Sequence, residues 1–160
     1  NSGVNNKLCW LLTENVYGLG SNSFNGKTVL GVALSTVADL YYEAQVNLLM
    51  PASNYTDLSN ALQQAAVNLG WSLTERGDLY VACQAVEIQS GSGAFVFVDA
   101  SNTGPEDGSP ALPFNTVPEG LAQLASGGSL GIQSGNYGQN PTISVPCEVS
   151  AIGGAVIIGQ

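Results

Sequence analysis

Histidine is absent from this 160-residue sequence, and lysine and arginine together number only 3. The first absence removes imidazole general bases, Ser-His-Asp and Cys-His nucleophilic sites, and His-ligated zinc. Titratable catalysis would fall to carboxylates, tyrosines or thiols. The second absence excludes a nucleic-acid partner, because counterion release needs clustered cations and Lys7, Lys27 and Arg76 are scattered. It equally argues against an anionic membrane surface, which attracts polybasic segments. No apolar run reaches the roughly 18 residues of a bilayer-spanning helix, so no membrane span is expected. No methionine opens the chain, which starts at Asn1, and the expectation is a processed product or an excised fragment. No C-x-x-C spacing joins Cys9, Cys83 and Cys147, so a zinc or thioredoxin-like reading is poor. From the residues alone, free thiols and a bridge both stay open.

What is present is apolar and acidic. Hydrophobic residues make up 44% of the chain, enough to bury a core as one domain or two small ones. The 12 acidic residues give a net charge of −9 on a chain that is otherwise neutral and polar, rich in Asn, Ser, Thr and 20 Gly. That composition leans towards an extracellular protein.

Two patterns divide the sequence. Residues 1–88 read as helical. Val4, Leu8, Leu11 and Leu12 share one face, with Ser2 as N-cap; Val37, Leu40, Ala44 and Leu48 follow helical spacing until Pro51. A third helix is expected from Thr56 as N-cap to Gly70, and a fourth over 74–87 capped by Thr74. Asn25-Gly26 marks a turn in the Gly- and Asn-rich connection 14–33. Residues 89–93 form a linker by composition. Over 94–160 the period falls to two, with short strands at 95–98, 129–133, 141–145, 147–151 and 155–158, and one helix capped by Thr116 and Glu119. The expected fold class is α+β, a helical domain followed by a short β domain.

The helical half resembles the C-terminal helical domain of thermolysin-like zinc metalloproteases. Asn1-Ser2-Gly3 with Asn6-Lys7 resembles the "NSG-x-x-NK" opening of that domain, and Trp10-Leu11-Leu12 its "YLL" turn. Leu40-Tyr41-Tyr42-Glu43-Ala44, Leu49-Met50-Pro51-Ala52-Ser53-Asn54 and Gln64-Ala65-Ala66 follow in the family's order, and Cys83-Gln84-Ala85-Val86-Glu87 resembles the closing "AVG" helix. The resemblance implies a Cys9–Cys83 disulfide, since some relatives pair cysteines at similar positions; such a loop would contribute about 4 kcal/mol in the chain-entropy account. It carries over no catalytic residue. The family's zinc helix, H-E-x-x-H, is not in this sequence, and the histidine that steadies the tetrahedral intermediate falls at Phe24 in Ser23-Phe24-Asn25-Gly26. No zinc site and no peptidase activity are therefore expected of the chain.

The second half resembles the opening of a right-handed parallel β-helix. Phe97-Val98-Asp99 followed by Pro113-Phe114-Asn115-Thr116-Val117 is similar to the start of such solenoids, and Ile132 with Gly135-Asn136-Tyr137 to a first rung. Such a stub leaves an apolar end, Val156, Ile157 and Ile158, able to template pairing with another chain. Asp99, Glu106 and Asp107 fall in one loop, where oxygen ligands suit calcium; the plainer reading is a solvated acidic loop. Asp39 and Glu43 are four apart on a helix face and read as a solvated stripe. Asn54-Tyr55-Thr56 fits a glycosylation sequon whose Thr56 already has a capping role, and Cys147 is expected to be buried.

These observations combine into a non-enzymatic extracellular structural protein that self-associates head to tail through its β-solenoid end into a homopolymer or filament. The alternative is a processed C-terminal fragment of a larger secreted thermolysin-like metalloprotease. A second alternative is a carbohydrate-binding module using Tyr137 on a glycan.

Overall fold

Leucines at 8, 11 and 12 line one side of helix α1 (Ser2–Thr13), and all three are fully buried. Ser2 lies within α1 rather than ahead of it as a cap. The computed structural model describes residues 2–13, 22–89 and 93–159. The chain divides into two units, Asn1–Ser90 and Gly91–Gln160. Residues 14–21 of the expected connection 14–33 and residues 90–92 of the expected linker 89–93 lie outside the described residues.

In the first unit a two-residue hairpin follows, β1 (Ser23–Phe24) pairing antiparallel with β2 (Lys27–Thr28). Asn25 and Gly26 both take positive φ, 48° and 72°, the conformation a two-residue hairpin turn requires. Helix α2 (Leu34–Glu43) widens into a π turn, Ala44–Leu48, where Leu49 N–H donates to the Ala44 carbonyl at 2.9 Å. The expected uniform helix to Met50 is thus corrected: its last turn is five residues wide.

Helices α3 (Tyr55–Asn68) and α4 (Leu73–Ala85) each begin with a reciprocal capping box. Asn54 Oδ1 accepts from Thr56 N and Asp57 N, while Asp57 receives Asn54 N. Ser72 and Glu75 repeat the arrangement. The expected caps, Thr56 and Thr74, are therefore displaced. In each case the winning residue is the one with an acid three positions later, which closes both halves of the box and is worth about 1 kcal/mol. Helix α4 ends in a Schellman turn: Ile88 N donates to Cys83 O and Glu87 N to Gln84 O, both at 3.0 Å. Glu87 occupies the left-handed position of that turn with φ 63°, where glycine is the ordinary residue, at a cost of roughly 1 kcal/mol. The core of this unit is one cluster in which Leu8, Leu11, Leu12, Leu40, Leu62 and Leu79 are all fully enclosed.

The second unit is built on a parallel sheet whose spatial order, β3-β4-β5, follows the chain order. Its strands are β3 (Phe95–Val98), β4 (Gly128–Tyr137) and β5 (Cys147–Ile158). Helix α5 (Val117–Gln123), capped by Thr116, lies against β3 and β4. It sits close because residue 120 is glycine: a Cβ there would fall 2.6 Å from Val98 Cγ2 and 3.1 Å from Leu130 Cδ1.

Two sequence expectations change here. Residues 141–145 form no strand, as Pro141 and Pro146, which cannot donate to a ladder, bracket that stretch. The two last strands merge into β5, which runs through Gly153 and Gly154 and absorbs the break as a register shift opposite Gln133/Gly135. The sheet is open, so the expected right-handed β-helix rungs are not formed as closed coils. The return segments carry prolines at 105, 110, 113, 141 and 146 and contribute just one bridge, Val98 to Phe114.

The two sides of this sheet differ. On the outer side of β3, Phe97 N donates to Gly108 O, Phe114 N to Phe97 O and Asp99 N to Phe114 O, so residues 108–114 cover that edge. Among the described residues no strand pairs with the outer edge of β5.

Candidate functional site

The hairpin β1–β2 carries Phe24, the residue that the sequence comparison above set against a histidine, and it is 37% exposed. Three attachments fix the hairpin. Ser23 and Thr28 hydroxyls meet across it at 3.0 Å, and Asn25 Nδ2 donates to the Ala85 carbonyl at the end of α4, 2.9 Å away. Lys7, one turn before Leu11 on α1, lays its ammonium 3.5 Å from the Trp10 ring centroid and 4.6 Å from that of Phe24. Both separations are within cation–π range. A phenyl ring has no donor for an oxyanion, so this geometry offers none of the stabilisation a histidine would supply.

The segment that follows the hairpin is held by Asp78. Its Oδ1 accepts from Leu30 N at 2.8 Å and its Oδ2 from Gly31 N at 2.9 Å. Burial pushes this carboxyl up to about 6, against the opposing pull of the two amides. Sequence reasoning missed Asp78. The available signal was an acid flanked by Gly77 and Leu79 on a helix that is buried without interruption from Gly77 to Cys83.

Cys9, Tyr41 and Cys83 form a second polar group, with Ser59, inside the helical unit. Burial, and then the neighbouring cysteines, push the Tyr41 hydroxyl up. Cys83 is fully enclosed and its thiol is pushed up to about 12 by burial, against a hydrogen bond with Ser59. Ser59 in turn donates to Gln89 Oε1 at 2.7 Å. The expected Cys9–Cys83 disulfide is not formed: both residues, and Cys147, are free thiols. In this arrangement the Cys9 sulfur lies by the Tyr41 hydroxyl and the Cys83 sulfur by Ser59. Cys147 is half-buried against the second core.

The acidic loop uses two of its three carboxylates within its own turns. Asp99 Oδ1 accepts from Ser101 N and Ser101 Oγ, Asp107 Oδ1 accepts from Ser109 N, and Glu106 joins neither. Among the described residues no three His, Cys, Asp or Glu side chains gather closely enough to hold a metal ion. These oxygens are used to fix turns. Glu43 receives Asn47 Nδ2 and Asn68 Nδ2, which hold its carboxyl below the usual range, so it ties α2 to α3 rather than pairing with Asp39. Asn54, the sequon asparagine, is itself the cap of α3. Tyr137 is buried, donating to Gln133 O at 2.8 Å and accepting from Ala100 N at 3.3 Å, so it is not a surface aromatic for a glycan. Of the apolar trio on β5, Val156 packs on the core, while Ile157 and Ile158 are 43% and 38% exposed.

The donor set does not fit zinc. The chain has no histidine, and no cluster of three ligating side chains occurs among the described residues. No helix among them is long and apolar enough to cross a membrane.

Comparison with known proteins bears on the first unit. The family described as "Thermolysin metallopeptidase, alpha-helical domain" matches residues 1–88, more than half of the chain. A curated relative, a zinc metalloproteinase of Renibacterium salmoninarum, is 42% identical over 65 residues. That stretch is 41% of this chain and 11% of the relative, so the chain spans a small part of that protein's length. Through its alpha-helical domain, the chain belongs to the thermolysin metallopeptidase family.

Proposed function

We infer that this chain is a C-terminal portion of a larger secreted thermolysin-like metallopeptidase. In that reading residues 1–88 are the helical half, set beside a zinc-bearing half whose ligands come from outside these 160 residues. The observation that carries it is the match of the helical unit to that domain, in a family whose curated relative is a far longer zinc metalloproteinase. Zinc in such a protein polarises a carbonyl and activates water. This chain's own part is structural: Asp78 and Asn25 set the hairpin, and Lys7 and Trp10 brace Phe24. No peptidase activity is expected of this chain by itself, since neither zinc ligands nor a histidine are among its 160 residues.

The coding sequence upstream of Asn1, together with the intact mass of the natural product, tests the reading. An H-E-x-x-H helix with a downstream glutamate is expected there, and a gene without one refutes it. The purified chain, supplied with zinc, is expected to leave fluorogenic peptides uncut; cleavage would overturn the inactive assignment.

A second reading rests on the uncovered edge of β5. The order β3-β4-β5, with α5 over the first strands, suits the opening of a right-handed β-helix, and β5 would then receive a further strand. Twelve residues long and charged at Glu148 alone, this edge has only the irregularity at Gly153-Gly154 to oppose pairing. Head-to-tail self-association through Ile157 and Ile158 follows from that edge. Sedimentation velocity and negative-stain microscopy are expected to show assemblies that Ile157→Lys abolishes; a monomer at every concentration retires this reading.

A further inference from the structure

A cavity of about 260 Å³ in the helical unit is lined by Val4, Lys7, Phe24, Asn25, Val86 and Glu87. Its two charged side chains are unusual in different ways. Lys7 is held by the faces of Trp10 and Phe24, and among the described residues no carboxylate pairs with it. A cation steadied by ring faces keeps its N–H groups available as donors. Glu87 sits with φ 63° at the end of α4, where a glycine would be unstrained, and no hydrogen bond to its carboxylate is formed among the described residues. The two groups line the same hollow, yet no ion pair joins them. Between them the walls are apolar: Val4, Val86 and the ring of Phe24.

We propose that this hollow binds a small zwitterion with an apolar body, a free α-amino acid of the leucine type. Its carboxylate takes the Lys7 ammonium, its ammonium takes the Glu87 carboxylate, and its side chain lies on Val4, Val86 and Phe24. A compact ligand with both charges on one molecule can meet Lys7 and Glu87 together, since both line the same hollow. The site goes beyond the peptidase reading and does not depend on it. It lies wholly within this chain and needs no zinc, so its failure would leave family membership untouched.

Titration calorimetry of the 160-residue chain with L-leucine, N-acetyl-L-leucine and L-leucinamide tests the proposal. The expected result is heat with L-leucine and weaker binding, by about tenfold or more, when either charge is masked. Glu87→Gly is the decisive variant, since it removes the carboxylate while relieving the backbone: its melting temperature is expected to hold or rise while leucine binding is lost. Lys7→Gln should lose binding too. Absence of binding by the parent chain, equal binding of all three probes, or unchanged binding by Glu87→Gly would each overturn the site.

Discussion

Asp78→Asn separates two opposing effects on one buried group. In the fold the Asp78 carboxyl rises from 3.8 to about 6 because burial outweighs its two amide hydrogen bonds. The folded chain therefore binds this proton more tightly than the unfolded chain does. The stability so gained is complete below pH 3.8 and is lost as pH rises through 6. At about 1.4 kcal/mol per unit the full swing is roughly 3 kcal/mol, of which roughly 1.5 kcal/mol falls between about pH 5 and pH 7.5. Asparagine cannot titrate, and its amide can accept from one of Leu30 and Gly31 while opposing the other, a pH-independent loss of about 1–3 kcal/mol. The gap in stability between parent and variant should thus narrow by roughly 1.5 kcal/mol from about pH 5 to pH 7.5. Urea unfolding followed through tryptophan fluorescence measures it, as Trp71 is buried in the same core. Contributions of the other carboxylates are common to both proteins and cancel. A gap that stays constant with pH would refute the raised carboxyl, and one that widens would mean that the amides outweigh burial.

Four further outcomes follow from packing and polar contacts. Thiol titration in denaturant without reductant should count three free cysteines, with Cys83 unreactive in the native protein; a count of one would restore the disulfide. Gly120→Ala should cost about 1–3 kcal/mol by forcing α5 off Val98 and Leu130, and unchanged thermal unfolding would contradict that contact. Tyr137→Phe should lose about 1–2 kcal/mol, because Ala100 N and Gln133 O both give up a partner in a buried setting. Calcium followed by chelator should leave the melting temperature unchanged, and a rise with calcium would return Asp99 and Asp107 to the role of ligands.

What the sequence made legible was local in origin. Leu8, Leu11 and Leu12 announced a buried helix face, Asn25-Gly26 announced the hairpin turn, and the order of fragments from Asn1 to Glu87 pointed to the family. The caps lie two residues before Thr56 and Thr74, at Asn54 and Ser72, because only there does an acid three positions on, Asp57 or Glu75, close a reciprocal box. Asp78 was illegible for a different reason: its partners lie 48 and 47 residues away, and no local pattern specifies such a bond. Gly153-Gly154 read as a break because glycine weakens strands, yet the adjacent β4 tolerates the slip and β5 continues. Tyr137 read as exposed because alternation says which residues share a face, not which face another element covers. The disulfide came from analogy with relatives, and neither spacing nor burial in this chain required it.

The neighbour-by-neighbour order of β3, β4 and β5 has a consequence for how the second unit comes to exist. Each strand pairs with the one synthesised just before it, so the sheet can be laid down as the chain emerges, without waiting for a distant segment. The cover on β3 is also built from residues that follow it directly, 108–114, so the earliest strand is protected first. This order allows vectorial assembly. At each stage one new strand edge is exposed, and addition in this geometry has a direction, always from the β3 side towards the β5 side.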